Sequence, residues 1–224
     1  MATIDPKKIA AEKAVEYVEN GMIIGLGTGS TAYWAIQRIG QRIKEGLKVR
    51  AVASSEKSAQ LARELGISLL PVSELHAINL TIDGADEVDE SRNLIKGGGG
   101  ALLREKILAS NSERLIIVVD ESKMVKNLGK FPLPVEIVHF ASSLTLKKIT
   151  ELGCETVLRK ESRAEYITDN GNYIIDCKFG SIKDPSTLNR QLHEIPGVVE
   201  TGLFVGMAPT IIIGHANGDI KQLK

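Results

Sequence analysis

Apolar residues along the chain come in short blocks, separated by longer stretches in which they recur at helical spacing. Met22–Leu26, Val49–Ala53, Ile67–Leu70, Ala77–Ile82 and Leu115–Val119 are too short for buried helices and read as strands. Asp5-Pro6 supplies an N-cap and a proline at the first helical position, so a helix is expected from there to about Glu19, stopped by Asn20-Gly21. Further helices are expected over Ala32–Ile43, over Glu56–Leu65 (capped by Ser54-Ser55 and ended by Gly66) and over Ala101–Ala109. Apolar strands alternating with helices predict an α/β fold with an open, mainly parallel Rossmann-like sheet.

The pattern changes at Phe131-Pro132-Leu133-Pro134, which reads as a boundary. Beyond it come a strand (Val135–Val138), a helix (Ser142–Leu152), a strand (Glu155–Arg159), a strand (Tyr173–Lys178), a helix (Pro185–Glu194) and a strand (Val198–Leu203). Asp169-Asn170-Gly171-Asn172 marks a turn before the fourth of these. The order β-α-β-β-α-β is that of a second, smaller ferredoxin-like α+β domain. Thr210–Ile213 is one more apolar strand, expected to return to the first sheet. The expected organisation is therefore residues 1–130 plus 205–224 in one domain and 131–204 in the other.

Candidate chemistry gathers at the carboxyl ends of the expected strands, where open α/β sheets bind ligands. After Met22–Leu26 comes Gly27-Thr28-Gly29-Ser30-Thr31 and then a helix, the layout of a phosphate-binding turn. The loop lacks the lysine of a P-loop and the last glycine of the dinucleotide fingerprint, so it reads as a monophosphate or sugar-hydroxyl site. Lys7 stands in the first turn of its helix, against the helix dipole, a small cost that can mark a lysine aimed at an anion. Asp83 and Asp86 follow the strand that ends at Ile82, and Lys123 follows Leu115–Val119.

Lys96 precedes four consecutive glycines, Gly97 to Gly100, and a helix. Glycines lose backbone entropy on folding and add no packing, so such a run points to a backbone brought against a ligand. On the helix that follows, Glu105 has Ala101, Leu102, Leu108 and Ala109 as its nearest neighbours. Apolar residues spread around that helix predict burial, and a buried carboxylate with raised pKa could act as a base. A salt bridge to a distant lysine or arginine is the alternative, and the helix alone does not decide between them.

Composition narrows the partners. Lys plus Arg and Asp plus Glu both number 28, which gives no charge excess for nucleic acid or an anionic membrane. Aromatic residues make up only 4% of the chain, too few for base-stacking platforms. There is no apolar run of membrane-spanning length and no signal-peptide pattern, so a cytoplasmic protein is expected. Cys154 and Cys177 have neither metal-ligand nor redox-motif spacing and are expected to be reduced core residues. The four histidines are scattered, so no metal and no other cofactor is implied.

A carboxylate base, a lysine with glycine N–H groups and a phosphate grip are what proton abstraction beside a carbonyl requires. Sugar-phosphate aldose–ketose isomerisation through an ene-diolate fits. The motifs GLGTGSTA, DGADEVD, KGGGGALLREK and DESKMVKNLGKFPLPVE, with IPGVVETGLF near the end, together resemble ribose-5-phosphate isomerase of type A over nearly the whole chain. The resemblance implies metal-free interconversion of ribose 5-phosphate and ribulose 5-phosphate in the pentose phosphate pathway.

The same resemblance places the general base on Glu105 and catalytic polar roles on Asp83, Asp86 and Lys96. It places substrate contacts on Lys7, on Thr28, Gly29, Ser30 and Thr31, on Asp83, Gly84, Ala85 and Asp86, on Lys96, Gly97, Gly98 and Gly99, and on Lys123. It also implies a homodimer or homotetramer. Gly100 stands where some relatives carry alanine, and is expected to loosen the start of the helix. Coenzyme A transferases, which use a glutamate nucleophile, and non-catalytic sugar-phosphate sensors share the fold class. The chain lacks the basic DNA-binding segment expected of a sensor.

Overall fold

The computed structural model describes residues 4–224; residues 1–3 of the expected first domain lie outside the described residues. The helices are α1 (Pro6–Val15), α2 (Ser30–Lys44), α3 (Glu56–Glu64), α4 (Leu102–Ser110), α5 (Ser142–Thr150) and α6 (Pro185–His193). The strands run β1 (Ile23–Leu26), β2 (Arg50–Ala53), β3 (Ser68–Leu69), β4 (Leu80–Gly84), β5 (Glu87–Val88), β6 (Leu94–Ile95), β7 (Leu115–Asp120) and β8 (Leu133–Ile137). They continue with β9 (Glu155–Leu158), β10 (Lys160–Glu161), β11 (Ala164–Glu165), β12 (Tyr173–Lys178), β13 (Val198–Thr201), β14 (Leu203–Phe204), β15 (Thr210–Gly214) and β16 (Ile220–Leu223).

Two compact units result. The first holds the described residues to Ala85, then Arg104–Lys123 and Met207–Lys224; the second holds Asp86–Leu103 and Met124–Gly206. The first unit is built on a seven-stranded sheet of order β16-β15-β7-β4-β1-β2-β3, parallel throughout except for β16 at one edge. Its central strands are buried on both faces, and all six residues of β7 are buried, as the continuous apolar run predicts. Ile24, Leu26, Ile36, Ile39, Ile82 and Val118 belong to its core.

The second unit carries a four-stranded antiparallel sheet of order β13-β8-β12-β9, backed by α5 and α6, with the small β10-β11 hairpin inserted. Leu133, Val135, Ile137, Ile175, Leu188 and Leu192 form its core. The expected β-α-β-β-α-β order is present. Segment Asp86–Leu103 departs from the expected division at Phe131. Its strands β5 and β6 form a three-stranded sheet with β14, and that pairing places the segment in the second unit.

Helix α1 and the expected strand Val198–Leu203 differ from the pattern in their bounds, and α4 in its burial. Asp5 caps α1 by accepting from the backbone N–H groups of Lys7 (2.9 Å) and Lys8 (3.4 Å), a contact worth about 1 kcal/mol. The helix ends at Val15 rather than Glu19, because the next residues bond three back instead of four: Tyr17 N–H to the Ala14 carbonyl, Val18 N–H to that of Val15. Arg42 Nη1 from α2 also donates to the carbonyls of Val15 (2.6 Å) and Val18 (2.9 Å).

The expected strand Val198–Leu203 is two strands in two sheets. Gly202 is the break: its N–H donates to the Pro134 carbonyl (2.7 Å), and its carbonyl accepts from Lys96 N–H (2.9 Å). A Cβ there would lie 2.4 Å from the Lys96 carbonyl oxygen, so only glycine lets the two backbones meet. Helix α4 is also less buried than expected. Ala101, Leu102, Glu105, Leu108 and Ala109 form one buried stripe, whereas Ile107 is exposed.

Candidate functional site

In the first unit the loop Gly27–Gly29 turns from β1 into α2. Gly29, at φ +102°, occupies the N-cap position, so the helix starts at Ser30, two residues before the expected Ala32. The loop is braced from β4: Thr28 N–H donates to Asp83 Oδ1 at 3.1 Å, and Gly84 N–H donates to the same oxygen at 2.7 Å. Asp83 is only 1% exposed, and these charge-assisted bonds fix one edge of its carboxylate.

Ser54 and Ser55 from the β2–α3 turn and Ser58 from the first turn of α3 surround the Thr28 hydroxyl. Its Oγ1 lies 2.8 Å from Ser54 Oγ, 2.8 Å from Ser55 Oγ and 3.2 Å from Ser58 Oγ, and Ser58 Oγ donates to the Gly27 carbonyl at 2.8 Å. Ser55 also caps α3 through Ser58 N–H. In the sequence Ser54-Ser55 reads only as a cap, because nothing local shows that β1 and β2 are neighbours in parallel register.

Lys7 Nζ donates to Ser30 Oγ at 3.3 Å and stands 4.0 Å from Asp120 Oδ2. The lysine on the first turn of α1 is thus directed to the start of α2. Gly84 approaches the Thr31 side chain, with a built Cβ 3.6 Å from Thr31 Cβ. Lys123 closes a single 3-10 turn after β7, where Asp120 Oδ1 accepts from Ser122 N–H at 2.9 Å. Asp120, in contact with both features, opens the DESKMVKNLGKFPLPVE motif but is given no role by the sequence reading.

Glu105 lies on α4, 3% exposed, at the centre of the buried stripe. Its predicted neighbours Ala101, Leu102, Leu108 and Ala109 are all buried. Packing on such a stripe restricts its rotamers.

In the second unit Asp86 and the glycine run belong to one structure. Asp86 N–H donates to the Ile95 carbonyl (2.8 Å), and Asp86 Oδ2 accepts from Gly98 N–H (2.8 Å). Lys96 is 2% exposed, with Nζ 5.4 Å from the centre of the Phe204 ring. Gly97 (φ +99°) and Gly100 (φ +81°) are closed by a turn bond from Gly100 N–H to the Gly97 carbonyl (2.9 Å). A Cβ on Gly100 would lie 2.1 Å from the Tyr166 hydroxyl, so this glycine fixes the turn rather than loosening it. Gly97 and Gly100 are buried; Gly98 and Gly99 are exposed.

Of the residues singled out from sequence, Lys7, Thr28–Thr31, Asp83, Gly84, Ala85, Glu105 and Lys123 lie on the first unit, and Asp86 with Lys96–Gly99 on the second. Among the described residues no three His, Cys, Asp or Glu side chains are grouped to hold a metal ion.

The model of the family "Ribose 5-phosphate isomerase A (phosphoriboisomerase A)" matches residues 50–218. A ribose-5-phosphate isomerase A of Bacillus mycoides is 53% identical over 217 residues, covering 96% of this chain and 98% of its own. The ribose 5-phosphate isomerase A structure from Methanocaldococcus jannaschii superposes with a TM-score of 0.93 at 41% identity, over 98% of both chains. A D-ribose-5-phosphate isomerase solved in complex with phospho-erythronic acid gives 0.95 at 39% identity, over 100% of both chains. The chain belongs to the ribose 5-phosphate isomerase A family, and isomerisation of ribose 5-phosphate is its activity.

Proposed function

We propose that the chain interconverts D-ribose 5-phosphate and D-ribulose 5-phosphate by proton transfer through an ene-diolate, with Glu105 as the base. The Glu105 carboxylate takes the proton from C2 of the open-chain aldose, exchanges it with solvent while the ene-diolate persists, and delivers a proton to C1, which leaves the ketone at C2. Lys96 and the Gly99 N–H of the glycine loop offset the charge that develops on the substrate oxygen. One of Asp83 and Asp86 passes the hydroxyl proton between the two oxygens. Lys7, the Thr28–Thr31 loop at the start of α2, and Lys123 hold the phosphate.

The observation that carries this reading is the burial of Glu105 as the single charged member of an otherwise apolar stripe. The complex of a similar isomerase with a four-carbon phospho-acid supports the same class of ligand. Glu105→Gln keeps the shape of the side chain and removes the base. Turnover should vanish while phospho-erythronic acid still binds; near-normal kcat would remove Glu105 from the role.

We further place the enzyme in the cytoplasm, where the free thiols of Cys154 and Cys177 stay reduced. We also propose a homodimer or homotetramer, since Phe140, Leu144 and Val157 of the second unit are large apolar side chains that a single copy leaves exposed.

A further inference from the structure

Arg159 lies 62 residues beyond Gly97 in sequence, between β9 and β10, and the sequence singles it out for nothing. Its guanidinium is gripped by Asp176 on β12: Nε donates to Oδ2 at 2.9 Å, and Nη2 donates to Oδ1. That two-point grip leaves Nη1 aimed at the glycine loop, where it donates to the Gly97 carbonyl at 2.8 Å and the Gly98 carbonyl at 3.3 Å. Tyr166 flanks the arrangement, with its ring centre 5.9 Å from the guanidinium and its hydroxyl in the space a Cβ on Gly100 would need.

Binding a carbonyl also orients the N–H at the other end of the same peptide. Among the described residues no peptide bond is cis, and in a trans peptide C=O and N–H point in opposite directions. With the Gly97 carbonyl on Arg159, the Gly98 N–H must face the other way, and there it meets Asp86 Oδ2 at 2.8 Å. With the Gly98 carbonyl on Arg159, the Gly99 N–H is likewise turned away from the arginine. A cation at the carbonyl end polarises each peptide and strengthens its N–H as a donor. Gly98 and Gly99 have no side chains to hold these planes; without Arg159 the Gly97–Gly98 peptide keeps only its bonds to Asp86 and Gly100 N–H, and the Gly98–Gly99 peptide loses the bond to its carbonyl.

We infer that Arg159 is a positioning residue for the isomerisation. It sets the peptide planes of the Lys96–Gly100 loop, so that Gly98 N–H holds Asp86 and Gly99 N–H is presented to the substrate oxygen. Asp176 keeps the guanidinium in place. The inference rests on the reading that this loop binds substrate, and its test separates the two.

Three variants, Arg159→Met, Arg159→Lys and Asp176→Asn, are compared with wild type. The readouts are kcat and KM for ribose 5-phosphate, Tm, and amide hydrogen exchange of the peptide that contains Lys96–Gly100. Loss of one direct oxyanion donor costs 10²–10³ in kcat, so loss of a residue that orients such donors should lower it by about tenfold, with KM changed less than about threefold. Exchange at the loop should quicken, and Arg159→Lys, which can reach one carbonyl, should recover part of the rate. A purely structural arginine would lower Tm and leave kcat of the folded enzyme intact. Unchanged kcat with unchanged loop exchange overturns the role of Arg159. Unchanged kcat with faster loop exchange shows instead that the loop takes no part in the reaction, and removes the reading beneath. If Arg159→Met does not fold, Asp176→Asn, which keeps the guanidinium and loosens its anchor, is judged by the same measurements.

Discussion

Replacing Gly27 by alanine should displace Asp83 without altering it. A Cβ at position 27 would stand 2.0 Å from Asp83 Oδ1, 2.2 Å from its Cγ and 2.6 Å from its Cα. The carboxylate could swing aside, but the contact with Cα is with backbone. Ordinary van der Waals contact begins at 3.4 Å, so β1 and β4 must part by roughly 1 Å here. The strands are tied at this point by Gly27 N–H to the Ile82 carbonyl (3.0 Å) and Thr28 N–H to Asp83 Oδ1 (3.1 Å). Overpacking of this kind costs about 1–3 kcal/mol, a fall in Tm of roughly 2–12 °C for a chain of this length. A misplacement of order 1 Å costs about 100-fold in rate.

The assay follows formation of the ketose from ribose 5-phosphate, with Tm read by circular dichroism. Gly21→Ala is the control: a Cβ there meets nothing within 4 Å, and only its φ of +86° is unfavourable. It should cost about 1 kcal/mol of stability and leave the rate alone. A Gly27→Ala enzyme with wild-type Tm, and with kcat/KM within about threefold of wild type, would refute the claim that this close approach holds Asp83 in place.

Two other changes report on the second unit. Glu136 is fully buried, and its Oε1 accepts from Thr168 Oγ1 (3.0 Å), Asn170 Nδ2 (3.1 Å) and Asn172 Nδ2 (2.9 Å). Glu136→Leu should therefore cost roughly 2–4 kcal/mol in denaturant unfolding. Asp184 caps α6 by accepting from Thr187 N–H at 3.0 Å, and hydrogen bonds from Thr187 hold its carboxyl below its usual pKa of 3.8. A depressed folded pKa contributes stability that is present above the unfolded value and lost as pH falls through the folded one. The Tm advantage of wild type over Asp184→Asn should thus be constant near neutral pH and shrink below about pH 4.

What the sequence shows and hides follows the range of each interaction. The Asp5-Pro6 cap, the strand–loop–helix around Thr28 and the glycine run after Lys96 are local, and each is visible within a dozen residues. The parallel sheet follows from apolar runs alternating with helices, and the motifs carry the family. The contacts that hold these pieces in place are distant: Ser58 to Thr28, Asp120 to Lys7, Arg159 to Gly97. No periodicity encodes them, because each depends on which strands become neighbours. The break at Gly202 is hidden for the same reason. Val198–Leu203 reads as one strand with a glycine in it, and only the approach of Lys96 and Pro134 shows that this glycine divides the run between two sheets.

The most direct test of the account follows the fate of the transferred proton. Ribose 5-phosphate is incubated in heavy water with a metal chelator and either wild-type enzyme or Glu105→Gln, and the products are read by NMR. The account predicts ribulose 5-phosphate carrying deuterium at C1 with wild type, and neither product nor exchange with Glu105→Gln. No ribulose 5-phosphate from wild type in the presence of the chelator, or product formed at a near-normal rate by Glu105→Gln, would contradict proton transfer by Glu105.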